Sequence, residues 1–81
     1  MPRTVQIKFY TNTSQVLYIN SIIDSYEGIG IVRTIDRSKG YVTVYSTDGM
    51  YEEALKVLEA LKNEGVPIHN LIVNETEKLE V

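Results

Sequence analysis

Few side chains in this chain could do chemistry. His69 is the only histidine, and Glu52 and Glu53 stand side by side. A general base needs a second group to orient it, and the spacing in "PIHNLI" offers His69 none. Its expected role is incidental. Two adjacent carboxylates diverge on a helix, so Glu52 and Glu53 read as partners of a helix dipole, not as a catalytic pair. Cysteine is absent, which excludes disulfides, thiolate catalysis and cysteine-ligated metals. No set of His, Asp and Glu has metal-ligand spacing. The expectation is a protein that is not an enzyme and needs no metal or cofactor. One loop has ligand-like chemistry. Asn12, Thr13 and Ser14 place an amide and two hydroxyls where a helix begins, and such a place can hold a polar or anionic ligand. The same residue types are common helix N-caps, and capping is the preferred reading.

The stretch "KGYVTVY", Lys39–Tyr45, raises a second possibility. It runs close to the octapeptide of RNA-recognition domains. Lys39, Gly40, Tyr41 and Val44 fit that pattern; Val42, Thr43 and Ser46 do not. The failure at Thr43 matters most, because an aromatic there would stack on a base. Single-stranded RNA binding through Tyr10, Tyr41 and Arg33 is therefore the alternative, and no nucleic-acid partner is expected.

The elements that must carry these residues are legible. "TVQIKFY" alternates, with Val5, Ile7 and Phe9 on one side of a strand. From Ser14 to Tyr26 the apolar residues Val16, Ile19, Ile22, Ile23 and Tyr26 recur at helical spacing, with Gly28 just past the end. "IGIVRTID" and "YVTVYS" are rich in β-branched and aromatic residues and flank "RSKG", so they read as a hairpin. "STDG" opens a second helix, with Met50, Ala54, Leu55, Leu58 and Leu61 as its buried stripe, Lys62 near its end and Gly65 beyond it. "PIHNLIV" is a last short strand. The order β-α-β-β-α-β, with right-handed crossovers, predicts an α+β ferredoxin-like split β-α-β fold. Its four-stranded antiparallel sheet would run 4-1-3-2, with both helices on one face. Residues 1–73 form the single domain, and residues 74–81 an acidic tail.

The hairpin decides which side chains share a surface. A three-residue loop, Ser38-Lys39-Gly40, puts Arg37 opposite Tyr41, Asp36 opposite Val42 and Thr34 opposite Val44. Val32, Thr34, Val42 and Val44 then face the helices. Ile31, Arg33, Ile35, Tyr41, Thr43 and Tyr45 face away, joined by Lys8 and Tyr10. A four-residue loop would slip one strand by one residue and send Arg33 into the core. The outward set is Tyr-rich and contains an Arg, a composition typical of protein interfaces.

The chain has 81 residues, 43% of them hydrophobic, enough for one small domain. Its net charge is −3. Removing the tail leaves 7 bases against 8 acids, so the body has no general pull toward nucleic acid or an anionic membrane. The N-terminus lacks an apolar run of signal-peptide length, and no segment nears the ~20 apolar residues of a membrane span. A soluble cytoplasmic protein is expected.

"INSIIDSYEGIGIVRTIDRSKGYVTVY", followed by a Glu-rich helix and "LEALKNEGVP", resembles a small bacterial family known as domain of unknown function 4911. Its pattern, "FINKIIE-Y-G-avVRT-D---G", is met here by Ile19, Asn20, Ile22, Ile23, Tyr26, Gly28, Val32, Arg33, Thr34, Asp36 and Gly40. The resemblance implies the fold and a cytoplasmic class; it implies no activity. The topology is also distantly similar to amino-acid-sensing domains of the ACT type and to acylphosphatases. The loop "YTNTSQ" lacks the Gly or Pro of the first and the Gly-Arg phosphate cradle of the second. The function expected is a small non-enzymatic module with a binding or regulatory role. It would self-associate, most simply as a homodimer, by burying its outer sheet face. An enzyme with a site between subunits is the remaining alternative.

Overall fold

The alternation in "TVQIKFY" gives strand β1, Thr4–Tyr10, with Val5, Ile7 and Phe9 fully buried. A single 3-10 turn, Thr13–Gln15, leads into α1, Val16–Ser25. The hairpin strands follow as β2, Ile31–Asp36, and β3, Tyr41–Thr47, then α2, Tyr51–Asn63, and β4, His69–Thr76. In this computed structural model, residues 4–76 are described. All strand pairs are antiparallel, and the sheet runs β2-β3-β1-β4, or β4-β1-β3-β2 from the other border. The architecture is α+β.

One core holds it together. Ile19 and Ile23 of α1 and Ala54, Leu58 and Leu61 of α2 close over Ile7, Phe9, Val42 and Val44 in a single buried cluster. The α1 stripe is narrower than its spacing predicts. Val16 and Ile22 are half-buried and Tyr26 is exposed, because the helix stops at Ser25 and Tyr26 already has extended backbone. In α2 the N-cap falls on Met50, which makes no side-chain cap bond, and of the expected stripe Met50 and Leu55 are only half-buried; the charge and glycine signals act as expected. Glu52 and Glu53 lie in its first turn and Lys62 in its last. It ends with the Val66 amide donating to the Leu61 carbonyl and the Gly65 amide to the Lys62 carbonyl, both at 3.0 Å, with Gly65 at φ 105°. That is the Schellman arrangement, and it needs a residue tolerant of the left-handed region.

The start of α1 differs from expectation. Neither Asn12, before the 3-10 turn, nor Gln15, before the helix, makes a side-chain cap hydrogen bond. The Asn12 backbone carbonyl instead accepts from the Gln15 amide at 2.9 Å. A 3-10 turn of this kind satisfies locally the groups a cap would serve.

The hairpin is a second difference. Four residues, Arg37–Gly40, separate the paired Asp36 and Tyr41, and the register is Thr34 opposite Val42 and Val32 opposite Val44. The expected slip of faces does not follow, because Ile35 is an extra residue between Thr34 and Asp36 and absorbs the odd step. Asp36 explains the longer loop. Its Oδ1 accepts from the Ser38 hydroxyl at 2.8 Å, the Ser38 amide at 3.1 Å and the Lys39 amide at 3.3 Å. The turn thus forms on the Asp36 carboxylate. Gly40, at φ 67°, donates to the Arg37 carbonyl and accepts from the Thr11 amide at 2.8 Å. A Cβ at Gly40 would stand 1.8 Å from the Thr11 carbonyl oxygen, so only glycine fits.

Strand β4 continues beyond Val73 to Thr76, which pairs with Thr4. The rest of the expected tail, residues 77–81, lies outside the described residues. Among the described residues no helix is long and apolar enough to cross a membrane.

Candidate functional site

Register places the outward side chains in three cross-strand rows. Gln6 faces Tyr45, which faces Ile31; Lys8 faces Thr43, which faces Arg33; Tyr10 faces Tyr41, which faces Asp36. Residues opposed across a ladder share a face and touch. The pleat that sends Val42 and Val44 into the core therefore brings Tyr41, Thr43 and Tyr45 together on the other side. Of the expected surface residues, Ile31, Arg33, Tyr41, Thr43, Tyr45, Lys8 and Tyr10 lie in these rows. Ile35 sits at the bulge beside them.

The surface is uneven. Thr43, at its centre, has no exposed area, and its hydroxyl makes no hydrogen bond. Lys8 and Arg33 flank it across the ladders, and Tyr41 and Tyr45 flank it along the strand. Tyr10 and Tyr41 stack with ring centroids 4.5 Å apart and planes 16° apart. Each ring therefore spends one face on the other, a contact worth about 0.5–1.5 kcal/mol. On β4, Ile72 is 54% exposed; at the β2 border, Ile31 is 62% exposed, Ile35 48% and Tyr45 38%. The last three, with Arg33 and Thr34, line a shallow depression.

Charge is segregated. Lys8 and Arg33 lie in the central row, and neither makes an ion pair among the described residues. The one described carboxylate in the rows belongs to Asp36, at the hairpin end. The Ser38 hydroxyl, and after it the turn amides and Lys39, hold that carboxyl below its usual range. Four acids, Glu52, Glu53, Glu59 and Glu64, lie along and just beyond α2. Glu53 meets Lys56 at 3.7 Å, both well exposed.

The other candidates lie apart from this surface. Asn12, Thr13 and Ser14 are exposed in the 3-10 turn segment. Thr13 and Ser14 border a groove whose far wall is Thr34, Ile35 and Arg37, with Leu17 between. That groove offers hydroxyls and one guanidinium, none of them buried. His69 is exposed at the start of β4, opposite Tyr10. Among the described residues no three of His, Cys, Asp and Glu are grouped to hold a metal.

Leu17 and Ile72 are among the exposed apolar residues that escaped the sequence reading. Leu17, 73% exposed on α1, borders the β2 groove. Ile72 of β4 joins the outer face opposite Lys8. Alternation could not place Ile72, because "LIV" is a continuous apolar run and the ladder shifts between His69 and Ile72. Leu17 sits one step off the buried stripe, and only the fold shows what stands beside it.

Residues 11–64, well over half of the chain, match a family model described as a domain of unknown function (DUF4911). The chain belongs to that family. The match spans both helices and the hairpin and leaves β1 and β4 outside it. No curated protein and no solved structure matches the chain.

Proposed function

We propose that this member of the domain of unknown function 4911 family is a non-catalytic binding or regulatory module that self-associates through its outer sheet surface. The frame we propose is the ferredoxin-like split β-α-β fold. What supports the frame is the element order, the antiparallel sheet and the shared core of both helices. A cytoplasmic location is part of the proposal.

The observation that carries self-association is the set Ile31, Ile35 and Tyr45, exposed together beside Arg33. A small domain rarely leaves such a patch in water. Full burial of one isoleucine is worth roughly 1.5–3 kcal/mol, so two of them on each of two copies can hold a dimer. Tyr and Arg add contact area that interfaces favour. Single-stranded RNA binding is the other reading of the same surface. The Tyr10–Tyr41 stack weighs against it, because a base would have to displace or share those ring faces.

Sedimentation at micromolar concentration tests the proposal. The wild type is expected to be a dimer or larger, and Ile31→Glu a folded monomer. Val44→Glu, which puts a charge in the core, is expected to unfold the chain. A monomeric wild type overturns self-association. Submicromolar RNA binding at physiological salt, lost in Tyr41→Ala, would favour the alternative.

A further inference from the structure

The geometry points to edge-to-edge pairing of β2 with β2 of a second copy, joining two four-stranded sheets into one of eight strands. This rests on the self-association proposed above, and moves its contact from the outer sheet surface to the β2 border of that surface. β2 borders the sheet, paired with β3 on one side only. A border strand presents unpaired backbone amides and carbonyls, a template for another strand. From Ile31 to Thr34 the ladder is regular, with no Pro or Lys to blunt it. The β4 border is bent near its start, where the ladder shifts and Asn70 holds φ 55°.

At the β2 border, apolar exposure lies on both sides of the sheet. Ile31 of β2 and its β3 neighbour Tyr45 lie on the outer side, while Leu17 lies on the helix side, across a groove that Ile35 also lines. Stacking two outer faces would leave Leu17 in water; an edge contact covers both sides. Charge points the same way. A twofold stack of outer faces would press Lys8 and Arg33 toward their own copies, with only the Asp36 carboxylate in those rows, already bound in its turn. Edge pairing leaves both cations at the water-facing surface.

A twofold axis normal to the sheet keeps each face intact, so outward residues oppose outward residues. Arg33 opposite Arg33 sets like charges side by side, which destabilises a ladder. Moving the axis to Thr34 runs the ladder through the Ile35 bulge. An axis at Val32 avoids both and keeps the regular stretch paired, with Val32 opposite Val32 and Ile31 opposite Arg33 of the second copy.

The chain has no cysteine, so single cysteine variants report directly. Opposed residues in an antiparallel ladder have Cα atoms about 4.5–5.5 Å apart, within disulfide range. Lys8 sits two strands in from the edge, so two copies of it would be roughly 24 Å apart in an edge-paired dimer. Val32→Cys, Lys8→Cys and Glu52→Cys are oxidised at a concentration where the wild type sediments as a dimer; Glu52, exposed on α2, measures chance collision. The expected result is a disulfide dimer from Val32→Cys, with Lys8→Cys no higher than Glu52→Cys. A cross-link through Lys8→Cys, or a dimer in which Val32→Cys does not cross-link above Glu52→Cys, overturns edge pairing and leaves self-association standing. A wild-type monomer removes both.

Discussion

Val42 and Val44 on one side of β3, and Tyr41, Thr43 and Tyr45 on the other, share a backbone but not an environment. The inward side meets two helices, and its row of Val5, Ile7, Phe9, Val42 and Val44 has no exposed area. The outward side meets no described element, yet Thr43 is as inaccessible as the valines. Inward burial comes from elements distant in sequence. Outward burial comes from the long side chains of the next strands. The first is a core; the second is a cover of Lys, Arg and Tyr that a partner can displace or extend.

Core removal should break the comparison hardest. Phe9→Ala empties the inward side and is expected to cost about 3–5 kcal/mol, read as a lower urea midpoint. Gly40→Ala comes next. Its positive φ alone costs about 1–3 kcal/mol in a residue with a side chain, and the Cβ also meets the Thr11 carbonyl. A wild-type melting temperature in Gly40→Ala would mean the Thr11–Gly40 contact is not kept in solution. Thr43→Val sharpens the contrast, because it makes the outward centre chemically like the inward one. Removing an unsatisfied hydroxyl at nearly constant shape should be neutral or stabilising, by at most about 1–3 kcal/mol. A clear loss of stability would show that the hydroxyl has a partner.

The smallest effect is expected at Asp36. Its carboxyl titrates below the usual range because the Ser38 hydroxyl bonds the charged form. A lowered folded value means a contribution fully present above the unfolded carboxylate pKa, and lost as pH falls through the folded one. The stability difference between wild type and Asp36→Ala should therefore shrink on acidification below the carboxylate range. A difference that grows there would reverse the assignment.

The faces of β1 and β3 were readable because alternation is a local signal and Val5, Ile7, Phe9, Val42 and Val44 obey it. The α2 ends were readable for the same reason, since Glu52, Glu53, Lys62 and Gly65 act within their own turns. The hairpin register was not. Inward and outward parity is the same with a three-residue loop and with a four-residue loop plus a bulge, so hydrophobic pattern could not separate them. The bulge at Ile35 leaves no mark in residue type. The 3-10 turn at Thr13–Gln15 was hidden for a related reason: Asn12, Thr13 and Ser14 suit a cap and a turn equally. Of the candidate surface, residue membership was legible; the burial of Thr43 was not, because it depends on neighbours from two other strands.

The bond from the Thr11 amide to the Gly40 carbonyl joins two loops far apart in sequence. From outside, Arg37–Gly40 looks like the natural place to lengthen the chain, being a tight exposed turn at a hairpin tip. The tie makes it the opposite. An added residue there would move Gly40 off Thr11 and put a side chain where none fits, loosening the entry to α1 as well as the hairpin. The loop around Gly49 has no such neighbour, since a Cβ there would meet nothing within 4 Å. A fused peptide or an epitope tag belongs at Asp48–Gly49, where extra length has open solvent to occupy.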